Sequence, residues 1–349
     1  MRILFDARSV QTPAGAYVFR GLSSGWLADA RVGEVLAAVP PGFARDLLPD
    51  GVEPLRAADG GWLQHLRVEL PRMADRMRAD IVFVPNGLPP RDPRVVIYFQ
   101  DLYHFRLLGP GKSASARAAN VARWLWRARA APGCRLAVPV STDIHREVVR
   151  RLHIPIVMIP NGVDVGMARW TGGSNEVVVM GGRGRRKGED IAIRAWSRLA
   201  PANRAGLRLN ILGVEPAGRR ADLLSLAARL GVDASTTIEG TLPREVYLER
   251  VATAELAVSC SRLEAFGLPV AESLALGAPV LASDLPAHRE LVARAGAGAT
   301  FETGNVGDLA VAIGRALNGG PPPRLRSQPF GWSWRERARQ HIDAYQSAT

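Results

Sequence analysis

Cysteine and lysine are nearly absent from this chain. Two thiols occur in 349 residues, Cys134 and Cys260, far apart and without metal-ligand spacing. A disulfide scaffold and a cysteine zinc site are thereby excluded, and two buried free thiols are expected. Only two of the 45 basic residues are lysine, Lys112 and Lys187. No run of about 18 uncharged apolar residues occurs, which argues against a membrane-spanning helix. The opening MRILFDARSV has the pattern of a strand, with neither an apolar leader core nor a small-residue cleavage site, so a cytoplasmic protein is expected. There is no internal repeat of 20–50 residues. What is present is apolar content of 47%, enough for two cores, in a chain of two-domain length. The net charge of +12 favours anionic partners: sugar nucleotides, lipid phosphates or a membrane surface. No nucleic-acid motif accompanies the charge, and no nucleic-acid partner is expected.

Short apolar runs alternate with longer helical patterns throughout. The first half predicts strands at Arg2–Ala7, Glu34–Val39, Ile81–Pro85, Val95–Gln100, Leu136–Val140 and Ile156–Ile159. Helices are predicted there at Ala16–Ala28, Trp62–Arg78, Ala114–Ala131 and Asp143–Leu152. The second half repeats the alternation, with strands at Glu176–Met180, Leu207–Leu212, Thr237–Glu239, Leu256–Val258 and Pro279–Ala282. Val/Ile/Leu-rich strands separated by helices imply parallel sheets covered on both faces, and two rounds imply two doubly wound α/β domains. The Gly-containing stretch Val163–Asn175 marks the boundary. Residues 1–165 and 166–330 are taken as the two domains, and 331–349 as a closing amphipathic helix.

The most informative stretch is EAFGLPVAE, Glu264–Glu272. Pro269 suits the start of a helix, because it lacks an N–H that would be orphaned there. Glu264 then lies on the loop before the helix and Glu272 in the first turn. Free amides at Phe266, Gly267 and Leu268 form an anion site, and a carboxylate on each side can accept from hydroxyls. Phosphate flanked by hydroxyls describes a nucleotide sugar. A second feature, Gly181–Gly188, reads GGRGRRKG directly after the strand EVVVM. Its glycines, Gly182 among them, permit close approach to a ligand, and its four cations can neutralise a diphosphate. The helix Ala114–Ala131 interleaves Arg117, Arg123, Arg127 and Arg129 with Trp124, Leu125 and Trp126. The surface-helix pattern favours an apolar stripe on the sheet with solvated arginines; peripheral contact with an anionic membrane fits the same residues.

The E-x7-E block with Ser283-Asp284 downstream resembles the donor-site signature of retaining glycosyltransferases of family four, which have the GT-B fold. The resemblance covers nearly the whole chain and is most specific over residues 176–290. It implies two Rossmann-like domains facing a cleft, with the C-terminal helix crossing back to the N-terminal domain. It also implies that Arg183 and Lys187 hold the donor pyrophosphate, that Glu264 holds the hexose and Glu272 the ribose. Thr241, after the strand ending at Glu239, falls where relatives contact the base through backbone groups. Gly15, Tyr17 and Leu22 roughly fit the family's G-x-Y-x-x-x-L turn, with Gly15 approaching the donor and Tyr17 the acceptor. The family frequently ends the Val95–Gln100 strand with His-Asp; this chain has Gln100-Asp101. Gln cannot carry a proton near neutral pH. Asp101 is left to orient the acceptor hydroxyl, and His104 is a further acceptor-side candidate.

The expected activity is metal-independent transfer of a hexose from a nucleotide diphosphate sugar, GDP-mannose or another, with retention. The acceptor is a hydroxyl of a glycan, a lipid-linked sugar or a natural product. The nucleotide sugar is a co-substrate, and no cofactor is expected; no Asp-x-Asp metal motif occurs. A nucleotide-sugar epimerase on the same scaffold and a non-catalytic nucleotide-sugar-binding subunit are the alternatives.

Overall fold

Twelve strands form two parallel sheets in a computed structural model that describes residues 1–10, 12–58, 60–85, 88–100, 114–325 and 332–348. The chain divides into two units, Met1–Gly162 with Gly331–Thr349, and Val163–Phe330.

In the first unit the strands are β1 (Arg2–Asp6), β2 (Glu34–Val39), β3 (Val52–Arg56), β4 (Ile81–Pro85), β5 (Val95–Phe99) and β6 (Leu136–Pro139). They lie in the order β3-β2-β1-β4-β5-β6. The second unit has β7 (Glu176–Met180), β8 (Arg208–Leu212), β9 (Thr236–Ile238), β10 (Leu256–Ser259), β11 (Val280–Ser283) and β12 (Ala299–Phe301). Their order, β12-β11-β10-β7-β8-β9, is the same winding read from the other edge. Each sheet therefore reverses its winding once, between β1 and β4 and between β7 and β10. Strands such as β4 and β5 are buried along their whole length, as the β-branched runs require when helices cover both faces. The second core joins Val177, Val179, Leu209, Ile211 and Val258 of the sheet to Trp196 of the helix Glu189–Arg198.

The C-terminal helix Trp334–Ser347 belongs to the first unit and packs on the helix Pro13–Leu27. Gly25 makes the close approach: a Cβ there would lie 2.6 Å from the Cβ of Ala338. Arg31 closes the far end on Asp343 at 2.6 Å. Both cysteines are buried free thiols. No described helix is long and apolar enough to cross a membrane.

Several elements differ from the sequence reading. Residues Ile156–Ile159 form no strand; Ile156 makes one isolated bridge to Ala137, between two prolines that interrupt donors. β3 was not anticipated, because it is a largely exposed edge strand containing Pro54 and shows no alternation. β12, three residues long, was too short to register. The expected helix Trp62–Arg78 is interrupted by a π turn at His65–Glu69 before the helix Leu70–Arg76. Pro71 cannot donate to the carbonyl four residues back, and the wide turn precedes it. Within the helix Ala114–Ala130, Arg127 is buried, not solvated, its guanidinium over the ring of Phe99.

Candidate functional site

β7 and β10 are neighbours at the reversal point of the second sheet, paired in parallel through Val179 and Val258. Their carboxyl ends open on the same side, the place where open α/β sheets hold ligands. The glycine-rich basic loop leaves β7, and the Ser261–Gly267 segment leaves β10. Gly188 lets the two meet: its φ is +69°, and a Cβ there would lie 2.1 Å from the carbonyl oxygen of Cys260. The backbone N–H of Arg262 donates to the carbonyl of Arg186 at 2.7 Å, tying the loops together.

Lys187 ends a short 3-10 turn, Arg185–Lys187, and is buried. Its Nζ donates to Glu264 Oε1 at 2.6 Å. The same oxygen accepts from Arg186 Nη1 at 3.2 Å and from Ser261 Oγ at 2.8 Å. Burial works to raise the carboxyl's pKa, but the charges of Lys187 and Arg186 outweigh it and hold Glu264 down at about 2. Glu264 is thus ionised throughout the physiological range, with cations fixed beside it. Arg183 is exposed at the start of the loop, where its backbone bridges to Glu215. Gly182, one of the glycines expected to approach the donor, donates its N–H to Glu189 Oε1 at 3.2 Å. Arg219 binds the other oxygen of that fully buried carboxylate.

Beyond Glu264, Phe266 is buried, and Gly267 caps the helix Leu268–Leu276 in the left-handed region, with φ at +93°. The helix starts at Leu268, so Glu272 falls in the second turn, not the first, and is buried on the helix flank. There it accepts from Arg244 Nη1, while Arg244 Nη2 donates to the Asp164 carbonyl at 2.8 Å. Burial raises the Glu272 pKa against the pull of Arg244. Thr241 is exposed after β9, and its N–H donates to Glu215 Oε1 at 3.3 Å.

His288 completes the second-unit set. It sits in the first turn of the helix Pro286–Ala295, fully buried. Its Nδ1 lies 3.0 Å from the carbonyl oxygen of Ser283, and its ring edge abuts Gly267. Burial lowers its pKa, against an opposing pull from Glu264.

The first-unit candidates form a separate set. Gly15 lies inside the helix Pro13–Leu27, where its N–H donates to the Thr12 cap at 3.0 Å. Tyr17 packs edge-on against Trp334 at 5.4 Å, joining the N-terminal and C-terminal helices. Gln100 is half-buried at the carboxyl end of β5. Asp101 and His104 lie outside the described residues.

The sequence groups Arg183, Lys187 and Glu264; the structure joins Lys187 to Glu264 and adds Arg186, while Arg183 stays exposed at the start of the loop. The sequence reading did not anticipate Ser261, Glu189, Arg244 or His288. Ser261 had a local signal, a hydroxyl three residues before Glu264 at a strand end. Glu189 had one too, an acid opening the helix after the glycine loop. Arg244 reaches Glu272 from another helix, and His288 reaches Gly267 from the next crossover; no spacing rule announces either.

Chemically, the second unit offers an ionised carboxylate, two fixed cations and a helix start at the reversal point of a parallel sheet. Residues 30–166 match the model for Glycosyltransferase Family 4, and residues 168–329 match that for Glycosyl transferases group 1. The chain belongs to the family-four glycosyltransferases. It is 31% identical over 174 residues to D-inositol 3-phosphate glycosyltransferase from Nocardia farcinica, a match covering 46% of this chain and 38% of that one. The chain thus spans well under half the length of this curated relative. Two solved structures share the fold across nearly the whole chain. WaaG, a glycosyltransferase involved in lipopolysaccharide biosynthesis, superposes with a TM-score of 0.68 at 16% identity, covering 100% of this chain and 98% of that one. Anabaena Alr3699/HepE in complex with UDP-glucose gives 0.68 at 18% identity, covering 99% and 95%.

Proposed function

We propose that this protein transfers a hexose from a nucleotide diphosphate sugar to a hydroxyl of a sugar, lipid-linked or natural-product acceptor, with retention at the anomeric carbon. The observation that carries this reading is the Lys187–Glu264 contact, which places a cationic loop beside a helix start at the sheet's reversal point. The diphosphate would lie along Lys187, Arg186 and the helix start, where positive charge offsets the charge that develops as it leaves. Glu264, held ionised, accepts from hexose hydroxyls. Glu272, farther along the helix, takes the ribose. In a front-side displacement the acceptor oxygen bonds to the anomeric carbon as the sugar–phosphate bond breaks. The acceptor's proton passes to the departing phosphate oxygen, so no strong protein base is required and Gln100 in place of His is compatible. The cations named here supply the charge stabilisation, and the reading is metal-independent.

Two comparisons support it. The HepE structure holds UDP-glucose in the same fold, and the Nocardia relative is named for glycosyl transfer to a phosphorylated polyol. Thermal shift with UDP, GDP and dTDP, followed by incubation with the matching nucleotide sugar and an acceptor panel, is the test. A raised melting temperature with one nucleotide, and an α-linked product from an α-linked donor, are expected. Epimerised donor in place of glycosylated product would instead favour an isomerase.

A further inference from the structure

The protonation of the buried His288 ring is fixed on one side. A carbonyl oxygen only accepts, so the 3.0 Å contact with Ser283 places the proton on Nδ1. The Ser283 hydroxyl, 3.3 Å from Nδ1, donates its own proton to the Ser261 carbonyl at 2.6 Å and is left as a second acceptor. In the neutral ring Nε2 then carries a lone pair, and that atom is buried without a partner. It is aimed at the turn before the helix Leu268–Leu276: a Cβ on Gly267 would lie 3.1 Å from Nε2 and 2.9 Å from Cδ2. Gly267 itself puts no side chain between that edge and the turn. The neighbouring Ser261 donates to Glu264, so Glu264 and His288 are braced by one Ser283–Ser261 link.

A lone pair repels phosphate oxygens, which are acceptors as well, and takes a hydroxyl. Ribose is assigned to Glu272, which lies in the second turn and is paired with Arg244. On the Glu264 side the hydroxyls belong to the hexose. We propose that His288 is a specificity-determining residue whose Nε2 accepts a hydrogen bond from a hydroxyl of the transferred hexose, beside the hydroxyl held by Glu264. This rests on the donor-site reading above and adds a sugar contact that the E-x7-E block does not contain.

The test is calorimetry on the full chain with UDP and UDP-glucose, and with GDP and GDP-mannose, for wild type, His288→Leu and His288→Gln. The expected result is that His288→Leu binds the free nucleotide within about twofold of wild type but binds the nucleotide sugar about three- to tenfold more weakly, the worth of one neutral hydrogen bond. His288→Gln, which keeps an acceptor, recovers part of the loss. Should the variants not fold, histidine-labelled wild type gives the same answer. The His288 Nε2 nitrogen resonance shifts on adding the nucleotide sugar and stays in place with the nucleotide alone. Equal weakening of nucleotide and nucleotide sugar, unchanged binding of both, or an unmoved Nε2 resonance overturns the assignment while leaving the donor site intact. Failure of wild type to bind any of the four ligands removes the donor-site reading, and this one with it.

Discussion

Lys187 Nζ lies 2.6 Å from Glu264 Oε1, although 77 residues separate them in sequence. The contact joins the loop after β7 to the loop after β10, and Ser261 and Arg186 bind the same oxygen. A carboxylate carrying three donors has its charge balanced and its position set before a ligand arrives. The cations that balance it are the ones available to a diphosphate.

Removing the lysine charge tests that arrangement. Lys187→Met leaves Glu264 with Arg186 and Ser261 only. The variant is expected to lose about 2–3 kcal/mol of stability, below the full cost of orphaning a buried ion because Arg186 remains. Transfer activity is expected to fall by about 100-fold or more, as when one charge-stabilising donor is removed. Urea denaturation and initial rates measure the two effects separately.

Glu264 also predicts an acid dependence. Its folded pKa of about 2 lies below the ordinary 4.5, so its contribution is present in full above pH 4.5 and disappears as pH falls toward 2. The depression corresponds to on the order of 3 kcal/mol at neutral pH. Glu264→Gln should therefore be much less stable than wild type at pH 7, with the gap narrowing in urea titrations as the pH is lowered to 3. A gap independent of pH would contradict the ion-pair assignment.

Glu272 predicts the opposite sign. Burial raises its pKa, so its stabilising contribution is full at low pH and is lost as pH rises from 4.5 through the folded value. Glu272→Gln is expected to be within about 1 kcal/mol of wild type at pH 7 or more stable, because Arg244 keeps its Asp164 carbonyl contact and partial hydration. Nucleotide affinity is nonetheless expected to fall about tenfold, because the amide keeps only one of the two acceptor oxygens. Guanidine melts and nucleotide calorimetry on one preparation check both halves.

The residues of the second unit were legible in sequence to the extent that their chemistry is local. Strand EVVVM (β7), the glycine-basic loop and the E-x7-E block each carry a pattern, and chain order places the loop after β7 and the block after β10. The arginine partners of Glu189 and Glu272 are not legible. Arg219 and Arg244 come from other helices, and a chain with so many arginines gives no reason to choose one of them. Glu272 differs by one position: with Pro269 first it closes the first turn, whereas with the helix beginning at Leu268 it is the fifth residue and opens the second. In the first unit, Gly15 looked like a ligand loop because glycine after a strand signals a turn; Thr12 caps the helix there instead.

Gly188 is the hinge of the loop contact. Gly188→Ala must place a methyl 2.1 Å from the Cys260 carbonyl at a φ of +69°. A stability loss of at least about 2 kcal/mol is expected, together with weakened nucleotide binding from displacement of Lys187. Full stability with unaltered binding would mean that the two loops part without consequence.

The most direct measurement is a titration of UDP, GDP and dTDP into the full chain, wild type and Lys187→Met, by calorimetry at low salt. The donor-site reading predicts saturable heat with at least one nucleotide for wild type and at least about tenfold weaker binding for the variant. No binding by wild type, or equal affinity in the two proteins, would contradict it.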